Sequence, residues 1–149
     1  MDIKNAEERS KNMAAIHSRN TKPEVYFRKL LFAQGYRYSL NSKRIFGHPD
    51  IYLRKYNTAI FIHGCFWHRH AGCKFAYMPK SRVDFWQKKF EANVKRDRVV
   101  RKKLWDQGIK CLVVWECTVK EMKRSQEIRI KCLKTAEKFL ESNELFLEL

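Results

Sequence analysis

The chain predicts one α/β domain with a mixed central sheet flanked by helices, and three observations carry that prediction. The patterns run helix, three strands, helix, strand, helix. Ile109 to Trp115 is a nearly continuous apolar run, as expected of a strand covered on both faces. The length, 149 residues, suits one core and is too short for two ordinary ones. We therefore expect residues 1–149 to form a single domain, with 1–20 as an N-terminal arm and 142–149 as a tail that carries no motif.

Residues 1–20 are polar and basic around a short apolar patch, Met13 to Ile16, which can form a helix. Thr21-Lys22-Pro23-Glu24 is a helix start: Thr21 suits the N-cap, Glu24 the third position of a capping box, and Pro23 the first turn. Val25, Phe27, Leu30 and Leu31 continue that helix to a stop at Gly35. Tyr36 to Leu40 reads as a first strand. After a basic loop, Gly47-His48-Pro49-Asp50 leads into Ile51-Tyr52-Leu53, so Asp50 starts a second strand. A tight turn at Tyr56-Asn57 returns the chain through Ala59 to Ile62. That hairpin can bring Asp50 close to His63.

Ser81 could cap a long helix over about 82–106, with Asp84 at its third position. Residues 80–103 hold ten Lys or Arg against three acids, with Phe85 and Trp86 interleaved, a pattern suited to nucleic acid. Phe90, Val94, Asp97, Val100 and Leu104 fall on one stripe of that helix. An acid on an apolar stripe needs a partner; His68 is one candidate and Arg101, one turn on, the other. Glu116-Cys117 ends the apolar strand, and Thr118 with Glu121 could cap a further turn. Residues 125–141 read as an amphipathic helix. Cys111 and Cys132 lie in apolar settings and belong to the core.

The formal charge is +16, from 32 Lys+Arg against 16 Asp+Glu, which favours a polyanionic partner. No apolar run is long enough to span a membrane, and the N-terminus lacks a secretory pattern. Five cysteines without an export signal read as reduced thiols or metal ligands, and a cytoplasmic location is expected.

The densest chemistry lies at 63–73, where His63, Cys65, His68, His70 and Cys73 crowd around Phe66 and Trp67. Cys65, His70 and Cys73 have ligand spacing, and Cys117 is the best offer for a fourth zinc ligand. Unrelated thiols and surface histidines would give the same spacing.

HGCFWH at 63–68, PD at 49–50, NVKRDR at 93–98, WEC at 115–117 and RSKNMAAIHSRNTKPE at 9–24 resemble the very-short-patch-repair (Vsr) DNA mismatch endonucleases, in order over most of the chain. The resemblance implies a restriction-endonuclease-like core with a structural zinc site. It also implies a magnesium-dependent endonuclease that nicks one strand beside a T·G mismatch. The chain departs from the PD-(D/E)xK nuclease pattern, with Phe61-Ile62-His63 where Glu-x-Lys would stand, as the Vsr family itself does. Asp50 is a hard oxygen ligand for Mg²⁺, and the Ile62 carbonyl would be a second by analogy. His68 would be the general base with Asp97 orienting its ring; His63 and Glu24 would hold metal-bound waters or the phosphate. Zn²⁺ on Cys65, His70, Cys73 and Cys117 would be structural, because four protein ligands leave no open position. Phe66 and Trp67, joined by Trp86, would be exposed aromatics that wedge between base pairs where pairing is weak. Lys89 and Asn93 match family positions near the mismatch, and Met13 is placed near DNA on the resemblance alone. The expected partner is duplex DNA with a T·G mismatch, acted on by a monomer. A mismatch-repair matchmaker protein and a cytosine-C5 DNA methyltransferase are implied by family only. Two alternatives stay open: a restriction-type endonuclease on ordinary duplex, and a non-catalytic zinc module that binds nucleic acid.

Overall fold

The structure, a computed structural model, describes residues 20–149. The elements in order are α1 (Lys22–Ala33), β1 (Ser39–Leu40), β2 (Ile51–Leu53), a 3-10 turn (Arg54–Tyr56), β3 (Thr58–His63), α2 (Val83–Asp106), β4 (Lys110–Trp115), α3 (Glu116–Arg124), α4 (Gln126–Glu141) and β5 (Phe146–Glu148). Residues 1–19 of the expected arm, with Met13, lie outside the described residues. Among the described residues no helix is long and apolar enough to cross a membrane.

The five strands form one mixed sheet in the order β1-β2-β3-β4-β5. β1 and β2 are antiparallel to their neighbours, whereas β3, β4 and β5 run parallel. The 3-10 turn between β2 and β3 ends at Asn57, whose left-handed φ of 49° a short Asn tolerates better than most residues. Alternation along β3 and β4 divides the core. Ile60, Leu112 and Val114 pack with Phe27 and Leu31 of α1, Val119 and Met122 of α3, and Leu133 and Phe139 of α4. Ala59, Cys111, Val113 and Trp115 face the other way, toward Leu104 of α2 and Cys65. β4 is buried along its whole length, which is why its sequence is apolar throughout. Its one charge, Lys110, is buried too. Its Nζ donates to the carbonyls of Phe139, Leu140 and Ser142, completing the C-terminus of α4.

The structure differs from the sequence reading at four places. The 142–149 tail contains β5, paired parallel with β4. Only Ser39 and Leu40 of the expected first strand pair. α2 starts after Arg82, which holds a φ of 53° without a side-chain cap, so Ser81 does not cap it. α3 follows β4 directly from Glu116, with Trp115 at its N-cap, so Thr118 lies inside a helix. The start of α1 is as expected: Thr21 Oγ1 accepts from Glu24 N at 3.4 Å. The Glu24 carboxylate reaches back one residue further than a capping box, to Asn20 N at 3.2 Å.

Candidate active site and metal centre

The C-terminal ends of β3 and β4, the N-terminal end of β2, the start of α1 and the middle of α2 converge on a cleft of about 960 Å³. Asp50, Glu24, His63, His68 and Asp97 all line it. Strand register brings this about. β2 runs antiparallel to β3, so the residue that enters β2 lies beside the residues that leave β3. Asp50 Oδ2 accepts the backbone N–H of Ile62 at 2.7 Å. Burial pushes the Asp50 carboxyl up to about 6; the Ile62 N–H opposes the rise, Glu24 adds to it, and His68 opposes it. Glu24 is buried and ion-paired to Arg28 at 3.4 Å.

Of the two partners considered for Asp97, the structure selects His68, with Nδ1 2.7 Å from Asp97 Oδ2. A carboxylate accepting from Nδ1–H leaves Nε2 as the unprotonated nitrogen, free to take a proton. The rings of His63 and His68 stack at 3.8 Å, with 6° between their planes. Burial, then the neighbouring His68, push His63 down to about 3, so His63 is neutral over the ordinary pH range. Of the stacked pair, His63 is the ring held neutral. The pair's ligand atoms and that of Asp97 lie within 4.8 Å of one another, a spacing a metal could also use. The short His68–Asp97 contact favours the hydrogen-bonded pair.

Behind this pair, Cys65, His70, Cys73 and Cys117 bring their donor atoms within 4.8 Å of one another. His70 Nδ1 lies 3.6 Å from Cys65 Sγ and 3.4 Å from Cys117 Sγ. Metal–sulfur bonds of ~2.3 Å and metal–nitrogen bonds of ~2.0–2.1 Å give a tetrahedral S···N edge of about 3.6 Å. The cluster therefore fits a tetrahedral metal. Three turn hydrogen bonds shape its loop: His68 N to Gly64 O at 3.0 Å, His70 N to Cys65 O at 3.1 Å and Cys73 N to His70 O at 3.3 Å. Cys117 N, in the first turn of α3, lies 3.4 Å from Cys65 Sγ, so a helix N-terminus faces the sulfur cluster.

Phe66 and Trp67 are half-buried, which corrects the expectation that they stand exposed. Phe66 has ring centroids at 5.1 Å from Trp67, Tyr77 and Phe90, and at 5.6 Å from Trp86. Trp67 lies 5.8 Å from Trp86, its carbonyl accepts from Asn93 Nδ2 at 3.2 Å, and Lys89 Nζ lies 5.3 Å from its ring. These expected nucleic-acid residues form one assembly along the start of α2. Its outermost rings are Tyr77, 62% exposed, and Phe85, 45% exposed.

Sequence reasoning passed over three residues here. Arg69 donates to the carbonyls of Phe66, Ala76 and Tyr77 and lies 3.9 Å over the Phe90 ring, tying the ligand loop to α2. Its place between two histidines was the available signal. Trp115 stacks on His70 at 4.2 Å and meets His63 edge-on at 5.3 Å. Glu148, from the tail, accepts from Trp115 Nε1 at 3.3 Å. The WEC motif at 115–117 marked Trp115 without giving its contacts; nothing local marked Glu148.

Fold and site together define a class: a basic α/β protein whose cleft gathers carboxylates and a hydrogen-bonded imidazole beside a Cys/His cluster that could hold a metal. Comparison with known proteins gives the family. The family profile described as DNA mismatch endonuclease Vsr matches residues 1–74. The chain is 50% identical to the type II nicking enzyme V.NmeAIP of Neisseria meningitidis, over 80% of this chain and 84% of that protein. It is 42% identical to the type II nicking enzyme V.XorIIP of Xanthomonas oryzae, over 74% of this chain and 80% of that one. It is 39% identical to the DNA mismatch endonuclease Vsr of Escherichia coli K12, over 80% and 76% of the two chains. The chain belongs to the Vsr family and is an endonuclease.

Proposed function

We propose that this endonuclease nicks one strand of duplex DNA beside a T·G mismatch, with Mg²⁺ at the cleft and structural Zn²⁺ on Cys65, His70, Cys73 and Cys117. The observation that carries this reading is the His68–Asp97 pair beside Asp50, a carboxyl raised to about 6 within reach of a second acid, Glu24. A desolvated carboxyl whose rise a second acid reinforces would be relieved by a divalent cation, so Asp50 fits one. Asp50 and the Ile62 carbonyl would hold Mg²⁺, which neutralises charge on the scissile phosphate and acidifies a bound water.

The remaining chemistry belongs to the chain. His68 Nε2 takes the proton of the attacking water, while Asp97 fixes the tautomer and steadies the imidazolium that forms. His63, neutral and stacked on His68, keeps a hydrogen-bonding nitrogen for the phosphate or its waters without adding positive charge. Glu24 orients waters from the start of α1. The metal cluster anchors the loop that carries His68, and the loop's rigidity is its contribution to rate. Phe66, Trp67 and Trp86, with Lys89 and Asn93, would meet the mismatched step, and Met13 would approach it from the arm. Half-burial requires the Phe66–Trp67 wedge to open partly from its own aromatic cluster, using a step whose pairing is already weak. A restriction-endonuclease-like core is the fold this reading implies for the β1–β4 sheet.

The test is a nicking assay on paired duplexes that differ only at one T·G position, with Mg²⁺ and with chelator. Nicking of the mismatched duplex alone, dependent on Mg²⁺, is expected. Equal cutting of both duplexes would replace mismatch recognition with restriction-type cleavage, and binding without cutting would leave a nucleic-acid-binding module.

A further inference from the structure

A second groove, of about 760 Å³, lies between the 43–48 loop and the outer face of α2. It shares Gly47, His48, Arg96 and Val100 with the catalytic cleft, so the two are continuous. Their charge differs. The cleft is mixed: five acids, Glu24, Asp50, Asp97, Glu116 and Glu148, lie beside the cations Lys22, Arg96, Arg98 and Arg101. No acid lines the groove, whose charged side chains are Lys43, Arg44, Lys95 and Arg96. Among the described residues, no ion pair engages any of these four cations. Four exposed cations facing one groove without counter-charges repel one another, and an anionic chain relieves that repulsion.

The groove is also built rather than open loop. Gly47 has a φ of 85°, and a Cβ there would lie 2.4 Å from Val100 Cγ1, so the loop backbone rests directly on α2. His48, at φ 49°, returns its N–H to Ile45 O at 3.1 Å. Asn41 N bonds to Asp50 O at 3.1 Å, tying the far end of the same loop to the residue that opens the active site. The groove wall therefore adjoins the residue at the mouth of the cleft.

We propose that the groove is a phosphate track that takes the sugar–phosphate backbone of the substrate beyond the scissile phosphate, with Lys43, Arg44 and Lys95 as its contacts. This rests on the reading of duplex DNA as substrate. Such contacts position the duplex and carry no base information. The mismatch is read at the aromatic end of α2, and the track sets the register from the other side of the cleft.

The experiment measures duplex binding by fluorescence anisotropy in chelator, so that no cutting intervenes, across a salt series. The full chain is compared with Lys43→Ala, Arg44→Ala and Lys95→Ala on mismatched and matched duplexes. Each variant is expected to flatten the slope of log K against log salt by about 0.9, the loss of one phosphate contact. Affinity should fall by the same factor on both duplexes, leaving their ratio unchanged. Lys134→Ala, an exposed cation of α4 on the opposite face of the sheet, should leave the slope as it is. Unchanged slopes in all three groove variants would overturn the track while leaving the substrate reading intact. A changed mismatch-to-match ratio would overturn it too, by assigning these residues to base reading. A wild-type chain that binds no duplex would overturn both. Surface variants of this kind leave the core alone, and circular dichroism confirms the fold in each case.

Discussion

Asp50→Asn separates the metal site from the fold because it has opposite effects on the two. Asn keeps an oxygen for the Ile62 N–H, now held at 2.7 Å by Asp50 Oδ2. It removes the charge that burial disfavours. With the folded-state value raised from 3.8 to about 6, the native chain binds this proton more tightly than the unfolded chain. The ion-free protein therefore loses stability as pH rises from about 4 to 6, and the loss levels off above that. At 1.36 kcal/mol per unit, two units amount to about 3 kcal/mol at neutral pH. For a chain of this length Asp50→Asn should raise the ion-free melting temperature by on the order of 6–12 °C at pH 7, and by almost nothing near pH 3.5. Adding Mg²⁺ should stabilise the wild type, by about 2.7 kcal/mol at a hundred times its dissociation constant, and leave the variant unmoved. Nicking should be abolished and mismatch binding retained. Thermal melts at both pH values, with and without Mg²⁺, read all of this. A variant no more stable than wild type at pH 7, or one that still nicks, would refute the assignment of Asp50 as a desolvated metal ligand.

The other expectations are as direct. His68→Ala should lower kcat by about 10²–10⁴, the usual worth of a general base, and Asp97→Asn by less, because it misorients a base that is still present. Single-turnover nicking at saturating DNA measures both. Cys117→Ser should release the metal and leave the 65–73 loop open to protease, since a closed structural site contributes folding free energy; elemental analysis should find one zinc per wild-type chain. Zinc kept in His70→Ala but lost in His68→Ala would exchange the roles of the two histidines. Trp67→Ala should cost about 1–2 kcal/mol, less than the ~3–5 of a fully buried aromatic, and should weaken mismatched binding more than matched. A larger stability loss with an unchanged ratio would return Trp67 to the core. Lys110→Met should cost about 3 kcal/mol in denaturant melts, because the carbonyls of Phe139, Leu140 and Ser142 lose a charged donor.

What the sequence made legible follows the range of the interactions involved. The start of α1 could be read because Thr21 and Glu24 satisfy that helix end within four residues. β4 could be read because burial on both faces shows as an apolar run. β5 could not: Phe146-Leu147-Glu148 has no pattern of its own and is a strand because β4 offers it an open edge. Cys111 N takes Leu145 O, and Leu149 N takes Val113 O. The start of α3 was hidden for the same reason. Its first turn has no side-chain cap, and the backbone donor there faces the sulfur of Cys65, 52 residues earlier in the chain.

The site shows the same division, and Trp115 shows what it means for function. The residue types that can do chemistry are conspicuous: His63, His68, Asp50, Asp97 and the four cluster ligands could all be named from spacing and chemical character. What couples them is the indole of Trp115, which the WEC motif marked as a residue of the family pattern without saying what it touches. Trp115 stacks on His70 of the Cys/His cluster and meets His63 of the imidazole pair, so it lies between the two groups. Parallel register sets it there, with Trp115 opposite His63 at the last pair of β3 and β4. Glu148 then holds the indole N–H from a strand that no local pattern announced. A metal held by all four of these donors would have no open position and would act on its surroundings only through geometry. Here that geometry runs His70, Trp115, His63, His68, Asp97, each step a ring contact or a hydrogen bond. The tail reaches the candidate site through the contact of Glu148 with the indole that touches both groups.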